Sequence, residues 1–227
     1  MKQILIIGGS GAIGSALISE YVNNDIKITI ASRKKQNLDP HINQIIYDYE
    51  QHNEIKLSTE IKFDLIIFAT GHLHNEHFKP EKSLKDIDKN AFQFSYHINC
   101  IAPLILLSQL RNNLTDHTKI VFLSARVGSI SANELGGWYA YRMSKAALNM
   151  MIKNLSIELK RKYKNIIVCG MHPGTVDSKL SKPYSGFVKH EIFTPSQSAA
   201  MLKKVIDELN LKHSGKIYDY AFQEIAY

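Results

Sequence analysis

Seven short runs rich in β-branched and other apolar residues, at 3–7, 27–31, 44–47, 64–69, 119–124, 165–171 and 216–220, alternate with four longer stretches of helical spacing. The helical stretches cover 12–23, 86–113, 141–162 and 196–209. A strand that is followed by a helix and then by another strand is placed to pair in parallel, because a parallel pair needs a long crossover. Most of the runs are apolar throughout rather than alternating, as strands covered on both faces must be. The chain is therefore expected to be an α/β protein, a single-domain doubly wound parallel sheet over residues 1–227 with helices on both faces. No repeat, low-complexity tract or proline-rich linker interrupts the pattern.

The glycines refine this to a Rossmann fold. The first strand runs straight into Gly8-Gly9-Ser10-Gly11-Ala12-Ile13-Gly14 and then a helix. Small residues stand where the backbone must turn sharply and meet a pyrophosphate at a helix N-terminus, so Gly8, Ser10, Gly11, Ala12, Ile13 and Gly14 are expected to hold a dinucleotide. The second strand ends at Ala31-Ser32-Arg33-Lys34-Lys35, without the acidic residue that would bind the ribose 2′-hydroxyl of NAD. A guanidinium fork suits a 2′-phosphate, which makes NADP(H) the expected cofactor, with NAD(H) as the alternative and Lys34 as a second phosphate partner.

Charge and cysteine usage narrow the function further. The 28 Lys and Arg against 21 Asp and Glu give +7, but they are scattered, so a basic groove around an anionic cofactor is expected rather than a nucleic-acid surface. The first apolar run breaks at Gly8, too early for a signal-peptide core or a membrane span, and a cytoplasmic protein without a membrane partner is expected. Cys100 and Cys169 sit among apolar residues without metal-ligand spacing, which suggests two buried free thiols and no metal.

Ligands of such sheets bind at the carboxyl ends of the strands. The loops at 72–83, 128–138 and 173–193 follow strands there, and the last, with Pro173, Gly174, Pro183 and Gly186, reads as a mobile lid. Tyr141-Arg142-Met143-Ser144-Lys145 opens a long helix, and residues four apart share a face. A phenol titrates near 10, so Tyr141 needs a cation such as Lys145 to exchange protons near neutrality.

In register with the nucleotide loop, the stretch Gly136-Gly137-Trp138-Tyr139-Ala140-Tyr141-Arg142-Met143-Ser144-Lys145-Ala146-Ala147-Leu148-Asn149 resembles the short-chain dehydrogenase/reductase family over essentially the whole chain. The stretch looks like that of the subgroup containing the Sniffer-type carbonyl reductases and the bacterial C-factor-like proteins. The resemblance implies that Tyr141 protonates a carbonyl oxygen as hydride arrives, that Lys145 lowers its pKa and binds the nicotinamide ribose, and that Asn99 helps a water and proton relay to the lysine. It further implies that Asp48 contacts the adenine amine, with Tyr49 beside it, and that Ala69-Thr70-Gly71 stands for the family's Asn-Ala-Gly. In Pro173-Gly174-Thr175-Val176-Asp177-Ser178, the Val176 backbone would bind the carboxamide and Ser178 would add a hydroxyl contact.

Two departures from the family pattern matter. Glycines at 8, 11 and 14 match the spacing of extended members that act on nucleotide sugars, although the chain leaves no room for their added substrate region. In Leu123-Ser124-Ala125-Arg126-Val127-Gly128, Ala125 stands at the usual catalytic serine, so Ser124, or else Ser129, is expected to orient the substrate. The reading is an NADP(H)-dependent reductase of a small-molecule aldehyde or ketone, with a cofactor-binding regulatory or signalling protein as its rival. A homodimer is compatible with Ala146, Met150 and Leu155 on the Tyr141 helix, since core and subunit burial look alike in sequence.

Overall fold

The computed structural model describes residues 1–23, 25–51, 54–187 and 191–227. In chain order its main elements are β1 Lys2–Ile7, α1 Ala12–Tyr21, β2 Ile26–Ser32, β3 Asn43–Ile46, β4 Leu65–Phe68, α2 Lys89–Tyr96 and α3 Ala102–Gln109. They continue with β5 Lys119–Leu123, α4 Tyr139–Lys160, β6 Ile167–His172, β7 Thr175–Val176, β8 Ile192–Phe193, α5 Pro195–Glu208, β9 Ile217–Asp219 and β10 Glu224–Ile225.

The main sheet has the order β10-β9-β6-β5-β4-β1-β2-β3. Its strands are parallel except β10, which pairs antiparallel with β9 and makes the sheet mostly rather than wholly parallel. From β1 the chain steps outward to β2 and β3, and from β4 it steps the other way. That reversal opens a crevice at the carboxyl ends of β1 and β4, where the candidate residues gather.

Alternate residues of each central strand enter different cores, as period-two geometry requires. Leu5, Ile7, Ile66, Phe68, Ile120 and Phe122 pack with Leu106 of α3 and Leu148 and Ile152 of α4. Ile4, Ile6, Ile67 and Val121 pack with Leu17 of α1 and Leu202 and Val205 of α5. Cys169 is buried and Cys100 half-buried, both as free thiols. Leu155 lies in the core, and the exposed apolar residues of α4 are Met143, Met150 and Ile157.

The single helix expected over 86–113 is divided. Asp88 caps α2 by accepting from the Asn90 and Ala91 amides. A five-residue π turn, His97–Ile101, then separates α2 from α3, with the Ala102 amide donating to the His97 carbonyl five residues back. Pro103 has no N–H to give the Asn99 carbonyl, so the regular ladder fails at Asn99. Residues 89–113 reach the length and apolar composition of a membrane span, yet Ala102, Leu106, Leu107 and Leu110 are buried against the sheet.

Candidate active site

The loop after β1 has no room for a side chain at Gly8 or Gly14. Gly8 has φ +86°, its amide donates to the Ala31 carbonyl, and an added Cβ would lie 2.9 Å from the Thr70 methyl. A Cβ on Gly14 would come within 2.3 Å of the Gly8 carbonyl oxygen, which fixes the close packing of α1 on the loop. Gly11 caps α1 without a side chain, and Ser10, Gly11 and Ala12 are exposed while Ile13 is half-buried. An exposed helix N-terminus whose donors face no capping side chain fits a pyrophosphate.

At the end of β2, the Gln44 amide donates to the Ser32 hydroxyl (2.8 Å) and the Lys34 carbonyl (2.8 Å), which fixes the turn that carries Arg33. The Arg33 side chain is 71% exposed and reaches Glu50 at 3.7 Å, a loose pair that leaves the guanidinium available to an anion. Asp48 accepts from the Glu50 amide. Tyr49 differs from its neighbours: it is buried, accepts a hydrogen bond from Thr70 (3.3 Å), and burial pushes its phenol well above the ordinary value. It therefore joins the loops after β3 and β4, with the Ala69 amide tied to the Ile7 carbonyl.

The expected proton-transfer residues meet at the carboxyl end of β5. Asn99 is 2% exposed; its side-chain carbonyl accepts from the His72 amide (2.7 Å), and its amide donates to the His72 carbonyl (2.8 Å) and the Ser144 hydroxyl (2.9 Å). The side chain thus pins the loop after β4 to α4. Lys145 Nζ donates to the Leu123 carbonyl (2.8 Å), and a Cβ on Gly71 would lie 3.7 Å from both Lys145 Nζ and Asn99 Oδ1. Lys145 Nζ stands 5.9 Å from the centre of the Tyr141 ring.

Burial dominates both titrations. It lowers Lys145 to about 8 and pushes Tyr141 up to about 12. The expected lowering of the phenol by Lys145 is not what this geometry gives: the ammonium points to the Leu123 carbonyl, and desolvation of the phenolate outweighs it.

Ser124 is buried with its hydroxyl donating to Asn149 Oδ1 at 2.6 Å, and Asn149 donates to the Gly128 carbonyl at 3.2 Å. The single hydroxyl proton is thus directed at α4. Ser129 accepts from the Ala132 amide (3.2 Å), and Ala125 is buried. Ser124→Ala should leave Asn149 Oδ1 a buried acceptor without its donor, a loss of about 1–3 kcal/mol read as a lower melting temperature. An unchanged melting temperature with turnover down tenfold or more would instead put the hydroxyl to work in the cleft.

The loop after β6 starts at Pro173, whose carbonyl accepts from Ser198 (2.8 Å), and at Gly174, whose φ of +77° lets the Phe193 ring approach. Thr175 and Val176 pair with Ile192 and Phe193, and Ser178 turns onto Ser181 (3.2 Å). Of the 173–193 lid expected from sequence, residues 188–190 lie outside the described residues. The sequence reading missed Asn149, Glu81, His74 and Tyr184. The last three lie on loops without a periodic signal, and Asn149 stood in the quoted Tyr141 stretch without a role.

The sequence profile of the family described as short chain dehydrogenase matches residues 2–187. The chain is 34% identical over 145 residues, 63% of its own length and 82% of the relative's, to the C-signal of Myxococcus xanthus. Among solved structures it resembles the carbonyl reductase Sniffer of D. melanogaster, with a TM-score of 0.81 at 19% identity and all of both chains covered. It also resembles an NADPH-bound carbonyl reductase from chicken fatty liver, with a TM-score of 0.81 at 19% identity over 100% of this chain and 99% of that one. These two likenesses are of fold.

Proposed function

Because the chain belongs to the short-chain dehydrogenase family, a family of oxidoreductases, we propose that it reduces the carbonyl of a small aldehyde or ketone with NADP(H), Tyr141 being the proton donor. The observation that carries this reading is the convergence of Tyr141, Lys145 and Asn99 at the crevice beside the glycine loop. When bound, the nicotinamide supplies the hydride. Tyr141, held protonated through the neutral range by burial, donates to the carbonyl oxygen. Lys145 directs one N–H at Leu123 and has two more for the ribose hydroxyls and the phenol. Asn99 holds the His72 loop and Ser144 around them.

On the cofactor side, Gly8, Ser10, Gly11, Ala12, Ile13 and Gly14 would cradle the pyrophosphate, Arg33 the 2′-phosphate, Asp48 the adenine, and Pro173 to Ser178 the nicotinamide end. Support for NADP(H) comes from the exposed Arg33 guanidinium and from the NADPH named for the chicken reductase. Arg33→Ala should weaken NADPH by about 10- to 100-fold, the range of a charged hydrogen bond, and leave NADH nearly unchanged in a titration of each. Equal weakening of both would remove the selectivity from Arg33. A cytoplasmic location, and a homodimer through the Met143, Met150 and Ile157 face, belong to the same proposal.

A second reading, a cofactor-binding regulator with little turnover, is favoured by Ala125 at the family serine position and by the likeness to a C-signal. One experiment separates them: oxidation of NADPH and NADH followed against a panel of aldehydes and ketones. Carbonyl-dependent oxidation is expected. Tight NADPH binding with no turnover across the panel would favour the regulator.

A further inference from the structure

Trp138 has a left-handed backbone, φ 49° and ψ 43°, at the start of α4. That conformation is costly for any residue with a Cβ. Gly136 and Gly137 just before it are also left-handed, at +61° and +62°, and glycine would suit position 138 better still.

The strain is held in place from two sides. The Trp138 amide donates to the Glu81 carbonyl (2.6 Å), and the buried Glu81 carboxylate accepts from the Ala140 amide (3.2 Å). Arg142 donates to the carbonyls of Gly136 and Gly137, both at 3.1 Å. A strained residue that its surroundings over-determine is a pointer to function. The contacts of the indole show which one.

The indole lies edge to face with the Tyr141 ring (6.2 Å) and with the Tyr184 ring (5.2 Å), and Tyr184 meets His74 at 5.5 Å. His74 also reaches the Leu180 carbonyl at 3.1 Å. Three loops at the carboxyl edge thus contribute one partly exposed aromatic row that ends at the proposed proton donor. Neighbouring rings 5.2 Å apart admit no third ring between them, so the row acts as a wall rather than a sandwich. A carbonyl hydrogen-bonded to Tyr141 would carry its substituent along that wall. A flat ring would gain contact there that a flexible alkyl chain would not.

We propose that Trp138, supported by Tyr184, is a specificity-determining residue that selects carbonyl substrates bearing a planar aromatic ring. This rests on the reading of the site as a carbonyl reductase. Trp138 is the chain's one tryptophan, so its emission reports on the wall without turnover.

The test uses the NADP-loaded protein with two eight-carbon ketones, acetophenone and 2-octanone. Acetophenone should quench Trp138 emission saturably, and 2-octanone should not. In NADPH-dependent turnover, Trp138→Gly, which relieves the backbone strain, should lose about tenfold more in kcat/KM for acetophenone than for 2-octanone, mostly through KM. Trp138→Phe should restore most of the loss. Saturable quenching without reduction would uphold the wall and defeat the reductase reading. Reduction of both ketones without quenching, or equal losses with both in Trp138→Gly, would leave the reductase and overturn the wall.

Discussion

Tyr141→Phe should lower carbonyl-dependent NADPH oxidation by about two to four powers of ten, the contribution of a positioned general acid. The substitution removes one oxygen and keeps the ring that meets Trp138, so the melting temperature and the NADPH dissociation constant should stay close to those of the parent. The loss should fall on kcat and kcat/KM alike, because the proton is needed only as the carbonyl oxygen gains charge. Near-normal turnover by the variant would remove Tyr141 from the mechanism.

Lys145→Ala should harm two functions at once. One ammonium is proposed to support the phenol and to bind the ribose, so kcat/KM should fall by on the order of a hundredfold or more. NADPH binding should weaken by about tenfold or more, as for loss of a charged hydrogen bond. The charged form of Lys145 is present below its pKa of about 8 and is lost above it. Reduction by the parent should therefore decline as pH rises through about 8, and Lys145→Ala should lose that limb of the profile.

Stability runs the other way. Folding lowers this amine from 10.5, so its burial cost is fully present below about pH 8 and is relieved as pH rises toward 10.5. Removing it should not destabilise the fold at neutral pH through loss of charge. A variant that only melts earlier, with rate and affinity intact when folded, would make Lys145 structural.

The regular part of this molecule was legible because its causes are local. Apolar runs at 3–7 and 119–124 became β1 and β5 within a residue or two, since continuous Ile and Leu can be satisfied only between two helical layers. The glycine loop was legible for the same reason: Gly14 has one place to be once Gly8 turns. Ser124 was harder, because strand alternation gives the face of a side chain and not its partner. Asn149, 25 residues away on α4, draws the hydroxyl toward the helix. Tyr49 was read only as the neighbour of Asp48, the residue that the family resemblance sets at the adenine, and its buried contact with Thr70 depends on the loop after β4. The break at Asn99 had a sequence cause in Pro103, but a proline inside an apolar periodic stretch does not say whether the helix kinks, ends or widens. The wall of His74, Tyr184 and Trp138 has no signature, since loops that follow the neighbouring strands β4, β5 and β6 make it.

The widened turn also sets how this helical arm can change in length. An ordinary α-helix turns by about 100° per residue, so one residue more or less rotates everything on its far side by that angle. The π turn at His97–Ile101 holds one residue beyond the α-helical repeat, and the faces of α2 and α3 are set in phase by it. Deleting Cys100 would remove the extra residue, while the proline at the start of α3 would still leave one carbonyl without an N–H donor. The deletion would also turn α2 and Asn99 out of phase with α3, breaking the ties to His72 and Ser144. Elongation within the loop over 72–83 shifts no such phase. In this fold the length of one helical turn is part of the geometry that assembles the site.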